Sequence, residues 1–203
     1  MKIGLIGAGR LGLCLALLMD KAGYSVIASD VREDYINGLQ IGEVTTTEPL
    51  VGQYLDSARR IEFTTDNLRV IEESDIIFTL VLTPSLKNGS YDVSNVDDVV
   101  SDILKYGWDK DLSNKSLVIG CTTNPGDCDF FQDRLRETGI NVFYNPEFIA
   151  QGSIIKDLQN ADTVLIGGDG KHKNNIEKIY KKIQYPSFPS VHFMSTKAAE
   201  IVK

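Results

Sequence analysis

The chain has 203 residues, 42% hydrophobic and 24% charged, with a formal net charge of −7, a globular composition on a length suited to one domain with a real core. No apolar run reaches the roughly 18 residues of a membrane span, so no membrane partner is expected, and the acidic balance disfavours nucleic acid as a partner. Three cysteines without paired spacing argue against a disulfide framework and for a reducing, cytoplasmic compartment, and no Cys/His cluster has metal-ligand spacing, so no metal is expected.

The amino terminus, MKIGLIGAGRLGLCLALLMDKAG, is apolar with an early lysine, like a secretory leader. Glycines at 4, 7, 9 and 12 interrupt it, and Asp20-Lys21 closes it without a small-residue cleavage site. It reads instead as a strand over 2–6, a turn, and a helix with the stripe Leu11, Leu15, Leu18 and Ala22, ended by Gly23. A strand over 25–30 and a short helix over 32–39 follow, then a Gly- and Thr-rich loop over 40–47. A helix is expected over 48–60, with Pro49 in its first turn. Next come a strand over 61–65, a helix over 66–74 and a long buried strand over 75–82. A polar loop over 83–93 leads to a helix over 94–106, with Ser94 or Asn95 as its cap. Strands are expected over 116–121, 141–144, 163–167 and 191–194, and helices over 126–138 and 171–184, the latter Lys-rich. A last helix begins near Ser195 or Thr196.

Strands that alternate with helices and are apolar on both faces imply a parallel sheet covered on both sides. The expected fold is α/β, a Rossmann-type, doubly wound, mostly parallel sheet over 1–194, with 195–203 starting a connecting helix. That helix has about eight residues at Lys203, and isolated helices so short are marginal, which suggests that it continues in a longer protein.

Gly7-Ala8-Gly9-Arg10-Leu11-Gly12 is a G-x-G-x-x-G between an expected strand and an expected helix, the context a dinucleotide-binding loop requires. Gly7 would allow the tight turn, Gly9 a close approach of backbone to pyrophosphate, and Gly12 close packing of helix on strand. Asp30 ends the second strand 18 residues after Gly12, where a carboxylate accepts from a ribose 2′-hydroxyl and repels a 2′-phosphate. The cofactor is therefore read as NAD, with Gly7, Gly9, Arg10, Leu11, Gly12, Asp30 and Arg32 around it; Arg32 is the one residue that points towards a 2′-phosphate. The plain alternative is a tight turn in some other α/β protein. Cys14, inside the helix, reads as core.

Ligands of an open α/β sheet sit at the carboxyl ends of its strands. Three loops there put a hydroxyl or amide beside a proline: Leu82-Thr83-Pro84, Cys121-Thr122-Thr123-Asn124-Pro125-Gly126, and Asn145-Pro146-Glu147-Phe148-Ile149-Ala150-Gln151-Gly152. Together with GAGRLG, Glu48-Pro49-Leu50 and the terminal STKAAEIVK, they run in the order of the motifs of the UDP-glucose/GDP-mannose dehydrogenase family, which the chain resembles over its whole length. NPEFIAQGSIIKDL is the most specific match, standing where that family has N-P-E-F-L-x-E-G and a following helix.

That resemblance implies oxidation of C6 of a nucleotide sugar to the acid, with two NAD+ in succession, through an aldehyde and a cysteine-bound thioester. It implies that Thr83 and Thr122 line the nicotinamide and that Thr122 helps place a catalytic water. Glu147 and the Phe148-Ile149 backbone would touch the sugar, and Lys203 would stabilise negative charge on the reacting oxygen. It also implies pairing of subunits through the helix that starts here, hence a homodimer or larger. UDP-glucose is favoured, with GDP-mannose or a UDP-N-acetyl sugar as alternatives. Gln151 departs from the family carboxylate, and an amide holds water without accepting its proton. The family's nucleophilic cysteine lies in a further domain, and neither Cys121 nor Cys128 matches it. A short-chain hydroxyacid dehydrogenase of the same fold would not explain NPEFIAQG, while a non-catalytic NAD-binding module would explain Gln151. The ordinary roles are a helix cap for Glu147, a turn hydroxyl for Thr83, a solvated lysine for Lys203, and surface or strand positions without function for His172 and His192.

Overall fold

Short apolar runs, each followed by a stretch of helix length, bury both strand faces only when the helices cover the sheet on both sides. The computed structural model describes all 203 residues and takes this form. Its strands are β1 Lys2–Ile6, β2 Ser25–Ser29, β3 Ile61–Thr64, β4 Ile76–Thr79, β5 Ser116–Ile119, β6 Asn141–Tyr144, β7 Thr163–Gly167 and β8 Ser190–Met194. They form one sheet in the order β3-β2-β1-β4-β5-β6-β7-β8. The first six are parallel. The last two are parallel to each other but reversed, joined to β6 by the single antiparallel pair Tyr144↔Gly167. The order reverses between β1 and β4, which opens the crevice where a doubly wound sheet binds its ligand.

The helices are α1 Arg10–Lys21, α2 Glu33–Gln40, α3 Val51–Ser57, α4 Asn67–Glu73, α5 Ser94–Tyr106, α6 Asp127–Leu135, α7 Ile154–Gln159, α8 Lys173–Ile183 and α9 Thr196–Val202. One core lies between one sheet face and α1, α7 and α8, with Leu13, Leu17, Ile155, Leu158, Ile176 and Ile179 buried in it. The other lies under α4, α5 and α6, through Val70, Val96, Val100, Ile103, Phe131 and Leu135. α1 is buried continuously from Gly12 to Asp20 because it is held between the sheet and the outer helices α3, α7 and α8. α9 packs on β7, β6 and α6; a Cβ at Gly167 would stand 2.8 Å from that of Ala199, so glycine there permits the close approach.

Several boundaries differ from those expected. β4 ends at Thr79, because Leu80 makes the last main-chain bond to Ile6 and the chain then leaves the sheet. The helix expected from Glu48 begins at Val51, since Leu50 takes a left-handed φ of 71° and Glu48 turns inward to bond a distant loop. Neither Ser94 nor Asn95 caps α5: Val93 holds that position without a side-chain bond, Ser94 N–H donates to Asp92, and the Asn95 amide donates to Leu82 O. His172 is buried, with Nδ1 3.2 Å from Ser116 Oγ, and so is a structural histidine under the sheet.

Candidate active site

The phosphate loop is fixed by backbone. The N–H groups of Gly7 and Ala8 both donate to Ser29 O, at 2.9 and 2.8 Å, which ties the turn to the end of β2. Gly7 has φ +95°, and a Cβ there would lie 2.6 Å from Leu80 O. A Cβ at Gly12 would lie 2.1 Å from Gly7 O, so only glycine lets α1 start this close to the turn. A Cβ at Gly9 would meet nothing within 4 Å, so that position faces open space. Gly9 is also the N-cap of α1, with no side chain to occupy the donors of the first turn. Those N–H groups have no helical carbonyl to bond and carry the positive end of the helix dipole. An open, uncapped amide cradle at the switch point fits a pyrophosphate. Arg10 is exposed and Leu11 half-buried at its edge.

Asp30 is buried at the end of β2 and accepts from Arg32 N at 3.1 Å, Nε at 2.8 Å and Nη2 at 2.9 Å. The Arg32 guanidinium lies 4.1 Å from the centre of the Tyr35 ring. Asp30 therefore holds Arg32 in a two-toothed ion pair, which occupies the charge that a 2′-phosphate would need. A carboxylate has further lone pairs for a ribose hydroxyl, and the half-exposed Arg32 side chain can yield them.

The loops after β4 and β5 are sewn together by Asn124. Its Oδ1 accepts from Tyr91 N at 2.8 Å and its Nδ2 donates to Tyr91 O at 3.0 Å, as a neighbouring strand would. Thr83 and Thr122, both half-buried, lie on these two loops at the carboxyl edge of the sheet. Beside Thr122, the Thr123 hydroxyl donates to Glu200 Oε1 at 2.9 Å. Glu200, 5% exposed, also accepts from Cys128 N at 2.9 Å and Gly126 N at 2.6 Å. A carboxylate from α9 thus takes up the free donors at the start of α6. The sequence gives no role to Glu200 or Tyr180, and marks Asn124 only by its amide beside Pro125. The only signal for Glu200 was a carboxylate on the same helix face as Lys203, one turn away.

The third loop carries the densest chemistry. Asn145 donates from Nδ2 to Leu165 O at 2.8 Å. The Tyr180 hydroxyl stands 2.5 Å from Asn145 Oδ1 and also bonds Glu147 Oε1. Burial pushes the Glu147 carboxyl up to about 7, against the Tyr180 hydrogen bond and the Lys203 charge, which pull it down. Burial, then the neighbouring Glu147 charge, pushes the Tyr180 hydroxyl well above its ordinary value. Lys203 Nζ donates to Glu147 O at 3.0 Å and lies 5.0 Å from the centre of the Phe148 ring. Gln151 Oε1 accepts from Arg10 Nη1 at 2.8 Å, which joins this loop to the phosphate loop. The far end of the loop is pinned by the buried Glu48, which accepts from Gly152 N at 2.8 Å and Ile154 N at 3.3 Å.

The structure therefore brings Glu147 and Lys203 into one group and Gln151 against Arg10. Thr83 and Thr122 lie on the adjoining loops of the same edge. None of the cysteines is a ready nucleophile: burial pushes the Cys14 and Cys121 thiols up to about 12 and Cys128 higher still, and a thiol acts through its thiolate.

Residues 1–184 match the family model described as the UDP-glucose/GDP-mannose dehydrogenase family, NAD binding domain. The UDP-glucose 6-dehydrogenase of Rhizobium meliloti strain 1021 is 29% identical, over 100% of this chain and 48% of the relative. That of Rickettsia conorii is 31% identical, over 93% of this chain and 44% of the relative. Among solved structures, a ternary complex of GDP-mannose dehydrogenase from Pseudomonas aeruginosa superposes with a TM-score of 0.88 at 27% identity, covering 100% of this chain and 48% of that one. The chain spans about half the length of the curated relatives it matches.

Proposed function

The chain belongs to the UDP-glucose/GDP-mannose dehydrogenase family, as its NAD-binding domain, and from that premise we propose that it supplies the cofactor half of an enzyme that oxidises C6 of UDP-glucose to the acid. NAD+, when bound, accepts hydride from that carbon. The chain's own residues bind, orient and move protons. The open N–H groups of the first turn of α1 hold the pyrophosphate, with Gly7, Gly9 and Gly12 giving it room. Asp30 takes the ribose hydroxyls, while Arg32, Arg10 and Leu11 border the cofactor. Thr83 and Thr122 line the nicotinamide end, and Thr122 positions water. Lys203 stabilises negative charge on the reacting oxygen, and Glu147, whose carboxyl is pushed up to about 7, exchanges a proton near neutral pH. Gln151 orients and does not take a proton.

The observation that carries this reading is the contact between Lys203 and Glu147, residues 56 positions apart, the latter on a loop whose Gln151 bonds Arg10 of the phosphate loop. The substrate would be a nucleotide sugar, and the protein would work in the cytoplasm as a dimer or larger, paired through the helix that begins at Thr196.

The test is NADH formation by the whole protein with UDP-glucose and NAD+. Two NADH per sugar is the expected result. Two NADH with GDP-mannose or a UDP-N-acetyl sugar, and none with UDP-glucose, would move the substrate and keep the chemistry. NAD+ binding with no NADH from any of them would leave a non-catalytic module, a reading that Gln151 favours.

A further inference from the structure

Tyr180 is absent from every motif, yet it is buried on α8 directly behind Glu147. With Glu147 ionised, the hydrogen bonds of the Tyr180 hydroxyl cannot all be made at once. Leu165 O is a carbonyl and only accepts, so the Asn145 atom facing it at 2.8 Å must be the amide nitrogen. Asn145 therefore presents its carbonyl oxygen to the Tyr180 hydroxyl, 2.5 Å away, and needs a donor there. Glu147 Oε1 lies against the same hydroxyl. One hydroxyl has one proton. If Glu147 is ionised, the hydroxyl must serve the carboxylate and Asn145 Oδ1 goes without. If Glu147 is protonated, its own O–H donates to Tyr180 Oη, and the tyrosine proton is free to satisfy Asn145.

We propose that Tyr180 is a positioning residue for the Glu147 proton, its hydroxyl turning from Glu147 to Asn145 each time Glu147 becomes protonated. Two titratable groups face the Glu147 carboxyl, Tyr180 from α8 and Lys203 from α9, and the Lys203 ammonium bonds the Glu147 main-chain oxygen, not the carboxylate. The tyrosine keeps its proton throughout, since burial and the neighbouring carboxylate push its hydroxyl well above the ordinary value. No O–H bond of Tyr180 breaks; only the C–O torsion changes. As a step in the proposed reaction, Glu147 takes up the alcohol proton and the Tyr180 hydroxyl swings to Asn145; NAD+, when bound, would accept the hydride. Both states of Glu147 then keep a partner inside the fold, so the proton can come and go without the loop moving. The catalytic meaning rests on the dehydrogenase reading, whereas the coupling of the three side chains does not.

The test is carbon-detected NMR of the isotope-labelled protein across pH 5 to 9, following the Glu147 carboxyl and the Asn145 side-chain carbonyl. In the wild type both signals are expected to move with one shared midpoint. In Tyr180→Phe, which keeps the buried ring, the carboxylate loses its donor and its midpoint rises by about one pH unit or more, while the Asn145 signal stops responding to pH. An Asn145 signal that is flat in the wild type, or a Tyr180→Phe midpoint that stays or falls, overturns the proposal. These outcomes are independent of whether the protein oxidises any sugar. Where it does, Tyr180→Phe also moves the pH profile of kcat upward and leaves KM for NAD+ unchanged.

Discussion

Asp30 and Glu147 are both carboxylates at strand ends, and their surroundings give them opposite tasks. Asp30 accepts both arms of the Arg32 guanidinium and serves as an acceptor. Replacing it by asparagine would remove the proposed charge-assisted bond to the ribose, worth about 1.5–3 kcal/mol, so Asp30→Asn is expected to raise the Kd for NAD+ by roughly tenfold or more and to narrow the preference over NADP+, as read by titration calorimetry with each cofactor. The Glu147 carboxyl is pushed up by burial, from its ordinary 4.5 to about 7. A group whose value is raised on folding contributes stability that is fully present below 4.5 and is lost as pH rises through about 7. Glu147→Gln cannot ionise, so relative to the wild type it should gain stability between pH 5 and pH 8 when urea midpoints are compared. Parallel curves would mean that Glu147 is not perturbed. The sequence singled out both residues, Asp30 by its distance from the glycines and Glu147 by its motif. It was silent on Tyr180, because a tyrosine inside an amphipathic, lysine-rich helix looks like any other core residue.

At the scale of elements, the strand–turn–helix at the amino terminus separates two uses of glycine. A methyl at Gly9 meets nothing within 4 Å, whereas one at Gly12 would strike Gly7 O at 2.1 Å. Gly9→Ala is therefore expected to fold with near wild-type stability and to lose NAD+ affinity, because the methyl would enter the space proposed for the pyrophosphate. Gly12→Ala is expected to lose about 2 kcal/mol or more of stability from overpacking against backbone. Denaturation and NAD+ titration of the two variants check this; equal stability losses would refute the division of roles. The remaining elements show where local signals run out. Pro49 suggests a helix start, but Glu48 is drawn away to Gly152 and Ile154, and the helix waits until Val51. Ser94 suggests a cap, but Asp92 takes its N–H first. Each time a polar side chain found a better partner than the one that local propensity assigns.

For the whole molecule, the proposed cofactor crevice lies at the carboxyl ends of the paired strands β1 and β4, where the strand order reverses, and is bordered by the phosphate loop and the loops after β4, β5 and β6. A ligand that binds the folded form alone stabilises it by mass action, by about 2.7 kcal/mol at a hundred times its Kd. Saturating NAD+ should thus raise the melting temperature by about 5–10 °C, and NADP+ at the same concentration by much less, since Asp30 ends β2 and already holds Arg32. Equal shifts with both cofactors would remove the assigned role of Asp30.

The amino-acid sequence alone determined the eight strands, the alternation of strand and helix, the glycine-rich turn, the three later loops with Glu147 and Gln151, and the terminal helix start with Lys203. These are signals of spacing and turn chemistry, written within one or two elements. Only the tertiary structure decided that β7 and β8 run against the other strands and that α9 crosses back to bring Lys203 to Glu147. It alone decided that Glu200 anchors α6, that Arg10 reaches Gln151, and that Tyr180 stands behind Glu147. Those contacts join residues 33 to 141 positions apart. Their partners are chosen by which buried donors and acceptors remain unpaired once the sheet has formed, and no local pattern carries that information.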